Sequence, residues 1–428
     1  MTEMRVLSGP AAERWIAART DLDIDVEARS AVEPMLAAVR ERGDEALREL
    51  SARFDGVAPE SFRARREDRS AALANLSQER RHALAVARAN LERFHRAQLR
   101  EEPRISVRPG ITVWREFRPI ERVGIYIPGG RAAYPSSVLM CGIPARLAGC
   151  PEIVVCSPPG AHGRVPDPVL AATEFLGIEA VYAVGGAQAI AAMTFGTESV
   201  PRVDKIFGPG NRYVTAAKEL VNGIVAIDMP AGPSEIVVLA DDTADPAWIA
   251  ADLISQAEHA PDSLAICIAL DARLADAVGA EVARQVEALP EPEAARASLE
   301  SSAICVADDL NEATAWVNAL APEHLSIVTR DDETVLEGIF HAASIFLGPY
   351  TPVAAGDYGA GSNHVLPTGR RARAWSPLSV DDFGRWVQAQ RITAAGLADL
   401  AVTIPAFARW EGLEGHARAV EIRFEEGR

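Results

Sequence analysis

The chain is short of positive charge. Its 428 residues carry 43 Lys and Arg against 60 Asp and Glu, a formal net charge of −17. That balance argues against a nucleic-acid or anionic-membrane partner, because phosphate contacts and polybasic docking both need a cationic surface. Local clusters such as Arg63-Ala64-Arg65-Arg66 lie near helical runs like 80–100 and read as solvated helix faces. Cysteine is scarce as well. Cys141, Cys150, Cys156, Cys267 and Cys305 are odd in number and form no CxxC pair, and three of them fall in apolar strand-like runs. They read as reduced core thiols in a reducing compartment. No run of apolar residues is long enough for a membrane helix, and 1–15 is charged throughout, unlike a signal peptide. A cytoplasmic protein is therefore expected. Zinc-finger spacing, HExxH and a regular GxGxxG are all missing.

What is present is ample apolar content, 48%, enough for two or more domains with sizeable cores. Helical spacing marks Val32, Met35, Leu36, Val39 and Leu47, and again Leu73, Leu76, Leu84, Val86, Leu91 and Phe94. Then short apolar runs at 123–127, 153–156, 180–184 and 205–207 alternate with helical segments, the βαβ rhythm of a parallel sheet. After Pro230-Ala231-Gly232-Pro233 a second such series begins, with strands expected at 235–240, 264–270, 303–306, 325–328 and 344–347. From Ser376 the pattern reads as helical again. The expected fold is α/β: two Rossmann-like parallel-sheet domains, suggestive of duplication, with N-terminal helices and a small helical tail. The expected boundaries are 1–122 for a helical region packing on the second α/β domain, then 123–234 and 235–375 for the two α/β domains. The tail, 376–428, is too short to bury both its faces and should pack on another body.

Ser255-Gln256-Ala257-Glu258-His259 is the most informative stretch. Asp245-Pro246 reads as an N-cap with proline at the first helical position, and Pro261 stops the helix. Ile249, Leu253 and Gln256 share one face, so Gln256 points inward and needs a partner. His259 lies at i+3 from it, close enough for one ion to take both. A core amide bonded to backbone remains the plain alternative. Three glycine turns follow strands of the first series: Pro128-Gly129-Gly130, Gly185-Gly186-Ala187-Gln188 and Gly208-Pro209-Gly210-Asn211. Such turns let backbone approach a nucleotide-type ligand, although each alone could be an ordinary βα connection. Pro322-Glu323-His324-Leu325 offers two adjacent bases before a strand. Asp357 falls in the glycine-dense Gly356–His364 segment, where His364 could compete as a ligand. Glu411 and His416 stand five apart, about 140° around an unbroken helix, so either Gly412 and Gly415 interrupt it or the two serve different sides of a ligand.

Together these motifs, with Ile227-Asp228-Met229-Pro230-Ala231-Gly232-Pro233-Ser234-Glu235 and Asn363-His364-Val365-Leu366-Pro367-Thr368, resemble histidinol dehydrogenase across roughly 30–424. The Gly359–Ser362 segment and the proline-rich 158–168 stretch depart from some members. The resemblance implies a zinc- and NAD-dependent oxidation of L-histidinol through the aldehyde to L-histidine. It implies Gln256, His259, Asp357 and His416 as zinc ligands, with Ser234, His324 and Glu411 contacting substrate beside them. Tyr126, Gln188 and Asn211 would contact NAD. Glu323 and His324 would be the acid–base pair, and the tail would cross to the partner of a homodimer. The rival reading is a paralogue acting on another small alcohol, such as a sulfonated diol. Turnover of L-histidinol with two NADH per histidine separates the two. A non-catalytic nucleotide or metal binder would bind NAD or zinc without forming NADH. A thioester-forming aldehyde dehydrogenase would lose activity on thiol alkylation.

Overall fold

A computed structural model describes residues 4–20, 25–129, 133–230 and 232–425. Gly130 and Ala231, which fall in two of the motifs, lie outside the described residues. The chain divides into one compact unit of 1–98 with 120–383 and another of 99–119 with 384–428.

The larger unit holds two parallel sheets of the same topology. In the first, the strands Ala180–Ala183, Glu152–Ser157, Arg122–Tyr126, Lys205–Phe207 and Ala226–Ile227 lie side by side in that order. Numbered along the chain, this is 3-2-1-4-5, a doubly wound sheet whose strand order reverses between Arg122–Tyr126 and Lys205–Phe207. In the second, Ala303–Val306, Leu264–Ala269, Glu235–Ala240, His324–Val328 and Ser344–Leu347 repeat the same 3-2-1-4-5 order, and Arg5–Ser8 adds a parallel edge strand. The repeated topology is the fold-level counterpart of the duplication suggested by the two α/β series. Strands such as Glu235–Ala240, buried from Ile236 onward, are covered by helices on both faces, which is why they read as unbroken apolar runs. All five cysteines are free, four of them buried.

The N-terminal helices correct one expectation. Val26–Arg42 packs on Gly186–Phe195 and Arg212–Val221, Arg66–Ala74 on Asp167–Leu176, and Gln78–Arg96 on Pro135–Ala148, all helices of the first sheet. Arg5–Ser8 and Gly9–Ala17, by contrast, join the second sheet. The cause is the stripe Val32, Leu36 and Val39 with Leu47, which closes one core with Ile190, Met193 and Val214.

The smaller unit carries an antiparallel sheet, Gly384–Ile392 on Ile111–Pro119 on Ile105–Arg108, followed by the helices Ala394–Asp399, Thr403–Trp410 and Glu414–Glu421. Gly384–Ile392 overturns the helical reading of everything after Ser376. Arg385, Gln388, Gln390 and Arg391 leave this strand without an apolar alternation, and its pairing supplies what the pattern lacks. Trp386 sets its ring edge-to-face against Phe117, centroids 5.5 Å apart. Among the described residues, no helix is long and apolar enough to cross a membrane.

Candidate active site

The helix Pro246–Ala257 forms as its ends dictate. The Asp245 side chain accepts from the Ala247 N–H at 2.8 Å, Pro246 occupies the first turn, and the helix stops before Pro261. Ile249 and Leu253 are buried on the inner face, and Gln256 is 2% exposed among them. Its Nε2 has no hydrogen-bond partner. A buried amide left in this state costs roughly 1–3 kcal/mol unless a ligand meets it. His259 lies just past the helix end, its N–H on the Gln256 carbonyl at 3.3 Å. Desolvation draws its imidazole below the ordinary value, toward the neutral form that binds metals.

Asp357 sits in the short helix Val353–Tyr358 rather than in a loop, because Val353 and Gly356 pack inward and set one helical turn. Its carboxyl is pushed up to about 6 by desolvation. His364 Nδ1 lies 3.8 Å from Asp357 Oδ1, and its Nε2 is 3.3 Å from the Ser137 hydroxyl. Desolvation lowers His364 to about 4, with a contribution from the nearby His259. The loop is braced from behind: Asn363 Nδ2 contacts the Met140 carbonyl at 2.8 Å and His95 Nε2 at 3.2 Å, and Asn90 donates to the Gly359 carbonyl at 2.7 Å.

Glu323 and His324 stand at the amino end of the second sheet, beside its own reversal point. The turn at Ala321, with φ of 48°, carries the chain from the helix Leu310–Leu320 into His324–Val328. Both side chains are buried. The Glu235 N–H donates to Glu323 Oε2 at 2.9 Å, and that oxygen lies 3.5 Å from His324 Nδ1. His324 Nδ1 is also 3.2 Å from the Glu235 carbonyl, which can only accept. The ring proton therefore belongs on Nδ1, and Nε2 is left as the basic nitrogen. Desolvation, reinforced by Glu235 and Asp357, raises Glu323 well above the carboxylate range. Burial drops His324 to about 3, with His259 and His364 adding to the effect. Burial thus disfavours the charged form of both groups. Glu235, which sequence reading passed over as a strand residue, is raised to about 7 by desolvation.

The three residues expected at NAD all stand at the carboxyl end of the first sheet. Tyr126 ends the central strand and its hydroxyl accepts from the Gly186 N–H at 3.1 Å. Gln188 is buried in the first turn of Gly186–Phe195, and its Nε2 has no partner. Asn211 caps Arg212–Val221, its Oδ1 taking the N–H groups of Tyr213 and Val214 at 3.1 Å each. A cavity of about 80 Å³ joins this end to the second sheet, lined by Gly208, Gly210, Ser234, Glu323, His364 and Thr368 among others. A larger open groove of about 290 Å³, bounded by Arg40, Phe195, Arg202 and Ile224, lies elsewhere and meets none of the candidates.

Glu411 and His416 are exposed in the smaller unit. Gly412, with φ of 77°, breaks the helix between them, while Gly415 stays helical. Among the described residues, no three His, Cys, Asp or Glu side chains gather in metal-holding geometry. Sequence reading missed a buried ion pair, Lys218 with Asp228, under the Gly208 turn. Lys218 reads simply as part of an amphipathic helix, and nothing local signals its partner.

A doubly wound sheet with a glycine-lined reversal point, joined to a second sheet carrying a buried carboxyl–imidazole pair, defines a two-sheet α/β protein with an acid–base pair beside a nucleotide-type crevice. The family model of histidinol dehydrogenase matches residues 17–424. The histidinol dehydrogenases of Methanothermobacter thermautotrophicus and Xanthomonas euvesicatoria are each 47% identical, over 95% of this chain and 96% of theirs. The crystal structure of histidinol dehydrogenase from Elizabethkingia anophelis superposes with a TM-score of 0.94 at 39% identity, covering 99% of this chain and 98% of that one. The chain belongs to the histidinol dehydrogenase family.

Proposed function

We propose that this protein carries out the zinc-dependent, NAD-linked oxidation of L-histidinol through L-histidinaldehyde to L-histidine, the final step of histidine biosynthesis. The observation that carries the reading is the buried Glu323–His324 pair, with Nε2 of His324 free, His259 close enough to depress the imidazole and Asp357 close enough to raise the carboxyl.

The residues suit both groups the reaction needs. The Gln256 amide through its oxygen, the His259 imidazole held toward its neutral form and the desolvated Asp357 carboxyl would make an amide–imidazole–carboxylate set acceptable to zinc. They supply three ligands, and His416 of a second copy would be the fourth in a homodimer with shared sites. When bound, zinc supplies a Lewis acid that orients the substrate. Tyr126, Gln188 and Asn211 would hold NAD, which supplies the hydride acceptor. Ser234 would contact substrate beside the ligand residues, joined by Glu411 of the partner copy.

His324 takes the alcohol proton at Nε2 as hydride leaves carbon. Once His324 has passed that proton to solvent, Glu323 in its carboxylate form draws a proton from water attacking the aldehyde carbon, and His324 takes the hydrate's proton in the second oxidation. A positioned group of this kind contributes typically about 10²–10⁴-fold. No cysteine takes part, because hydration replaces a thioester. The test is an assay with L-histidinol and NAD, repeated after chelation and zinc add-back. Two NADH per histidine, lost on chelation and regained with zinc, are expected. NADH formed from another alcohol but not from histidinol would overturn the substrate, and indifference to chelation would overturn the metal.

A further inference from the structure

We propose that Lys218 and Asp228 are positioning residues for the dinucleotide: a buried ion pair that clamps both backbone groups of Gly208 and so fixes the turn carrying Asn211. The proposal rests on the reading above that this end of the first sheet holds NAD.

Lys218 and Asp228 form an ion pair with side chains only 2% and 1% exposed. Both are spent on one residue. Lys218 Nζ donates to the Gly208 carbonyl at 2.9 Å, and the Gly208 N–H donates to Asp228 Oδ2 at 2.8 Å. Asp228 Oδ1 also takes the Met229 N–H at 2.6 Å. Gly208 is held at φ of 108°, and a Cβ there would strike the Tyr126 carbonyl oxygen. The pair thus binds together the helix Arg212–Val221, the turn at the reversal point, and the chain just past Ala226–Ile227. All of it borders the cavity that reaches Ser234 and Glu323.

A buried ion pair is a poor way to add stability, since well-packed apolar residues often do as well. What it does supply is geometry, because each partner fixes a backbone atom that an apolar side chain would release. Gly208 leads through Pro209 and Gly210 to Asn211, so a turn freed at Gly208 changes where a dinucleotide sits relative to the acid–base pair. A misplacement of about 1 Å can cost on the order of 10²-fold in rate.

The test compares Lys218→Met, the double variant Lys218→Met/Asp228→Asn, and Gln188→Ala as a reference. Calorimetric NAD titration, KM for NAD and for histidinol, and melting temperature are the readouts. Lys218→Met should melt lower, because it leaves a carboxylate buried alone. The double variant should recover melting temperature, yet bind NAD about tenfold more weakly, equivalent to about 1.4 kcal/mol. Its KM for histidinol should stay within about twofold of the parent. A double variant with parental NAD affinity would overturn the clamp. If Gln188→Ala weakens NAD while the double variant does not, the clamp alone is wrong. If neither weakens NAD, the dinucleotide assignment is wrong and the clamp goes with it. Hydrogen exchange on the unmutated protein needs no variant to fold. The Gly208 amide should be protected before NAD is added, and exchange as fast as in exposed turns would overturn the proposal.

Discussion

Glu323 and His324 are adjacent in sequence and opposite in what burial does to them. The carboxyl is pushed well above its ordinary 4.5, and the imidazole falls from 6.5 to about 3. The folded protein therefore holds a Glu323 proton that the unfolded chain gives up, and this contribution is lost as pH rises above 4.5 toward the folded value. His324 runs the other way, its contribution complete above 6.5 and lost as pH falls toward about 3. Glu323→Gln removes only the first effect. The melting temperature of the variant relative to the parent, measured with chelator, should thus rise between about pH 5 and about pH 8. A constant difference would mean that the carboxyl is not desolvated. In catalysis the same variant should still oxidise histidinol to the aldehyde while losing about 10²-fold or more in histidine formation. Equal loss in both half-reactions would remove Glu323 from the hydration step. The sequence offered Glu323 and His324 as two adjacent bases, and their proposed acid–base role came from the resemblance. That His324 keeps Nε2 free follows from the Glu235 carbonyl, 89 residues away along the chain.

Elements carry the site to different edges. The residues proposed to hold NAD sit at the carboxyl end of one sheet, where doubly wound folds take nucleotides. The proposed acid–base pair sits at the amino end of the other, contrary to that rule. Strand and helix placement was largely readable, because each buried parallel strand is a short apolar run and each helix a 3.6-residue stripe. The strand Gly384–Ile392 was not, since its polar sequence gains strand form only by pairing with Ile111–Pro119. The turn at Gly208 yields a sharp prediction. Gly208→Ala, forced to keep a positive φ and to meet the Tyr126 carbonyl, should destabilise the protein by about 1–3 kcal/mol and weaken NAD binding. Gly223→Ala, where a Cβ meets nothing within 4 Å, is the control, and should change stability by about 0.5 kcal/mol or less. Denaturant titration of both measures the contrast, and equal effects would show that Gly208 is not conformationally required.

At the scale of the whole molecule, three of the proposed zinc ligands belong to the larger unit, while His416 and Glu411 stand exposed in the smaller one with Trp410 beside them, 84% exposed. If His416 serves a second copy, Asp357→Ala and His416→Ala should each be inactive alone. Unfolded, mixed in equal amounts and refolded together, they should regain roughly a quarter of parental activity, since half the dimers are mixed and each mixed dimer has one intact site. No recovery would place all the ligands in one chain. Composition and periodicity by themselves determined the α/β class, the paired sheet series and the inward-facing Gln256, because burial writes a periodic signal into the residues that undergo it. Only the tertiary structure decided that the N-terminal helices cover the first sheet, that Asp357 rides on a helix, and that Lys218 meets Asp228. These are meetings between distant segments, and their energy comes from desolvation and close packing that no local pattern encodes.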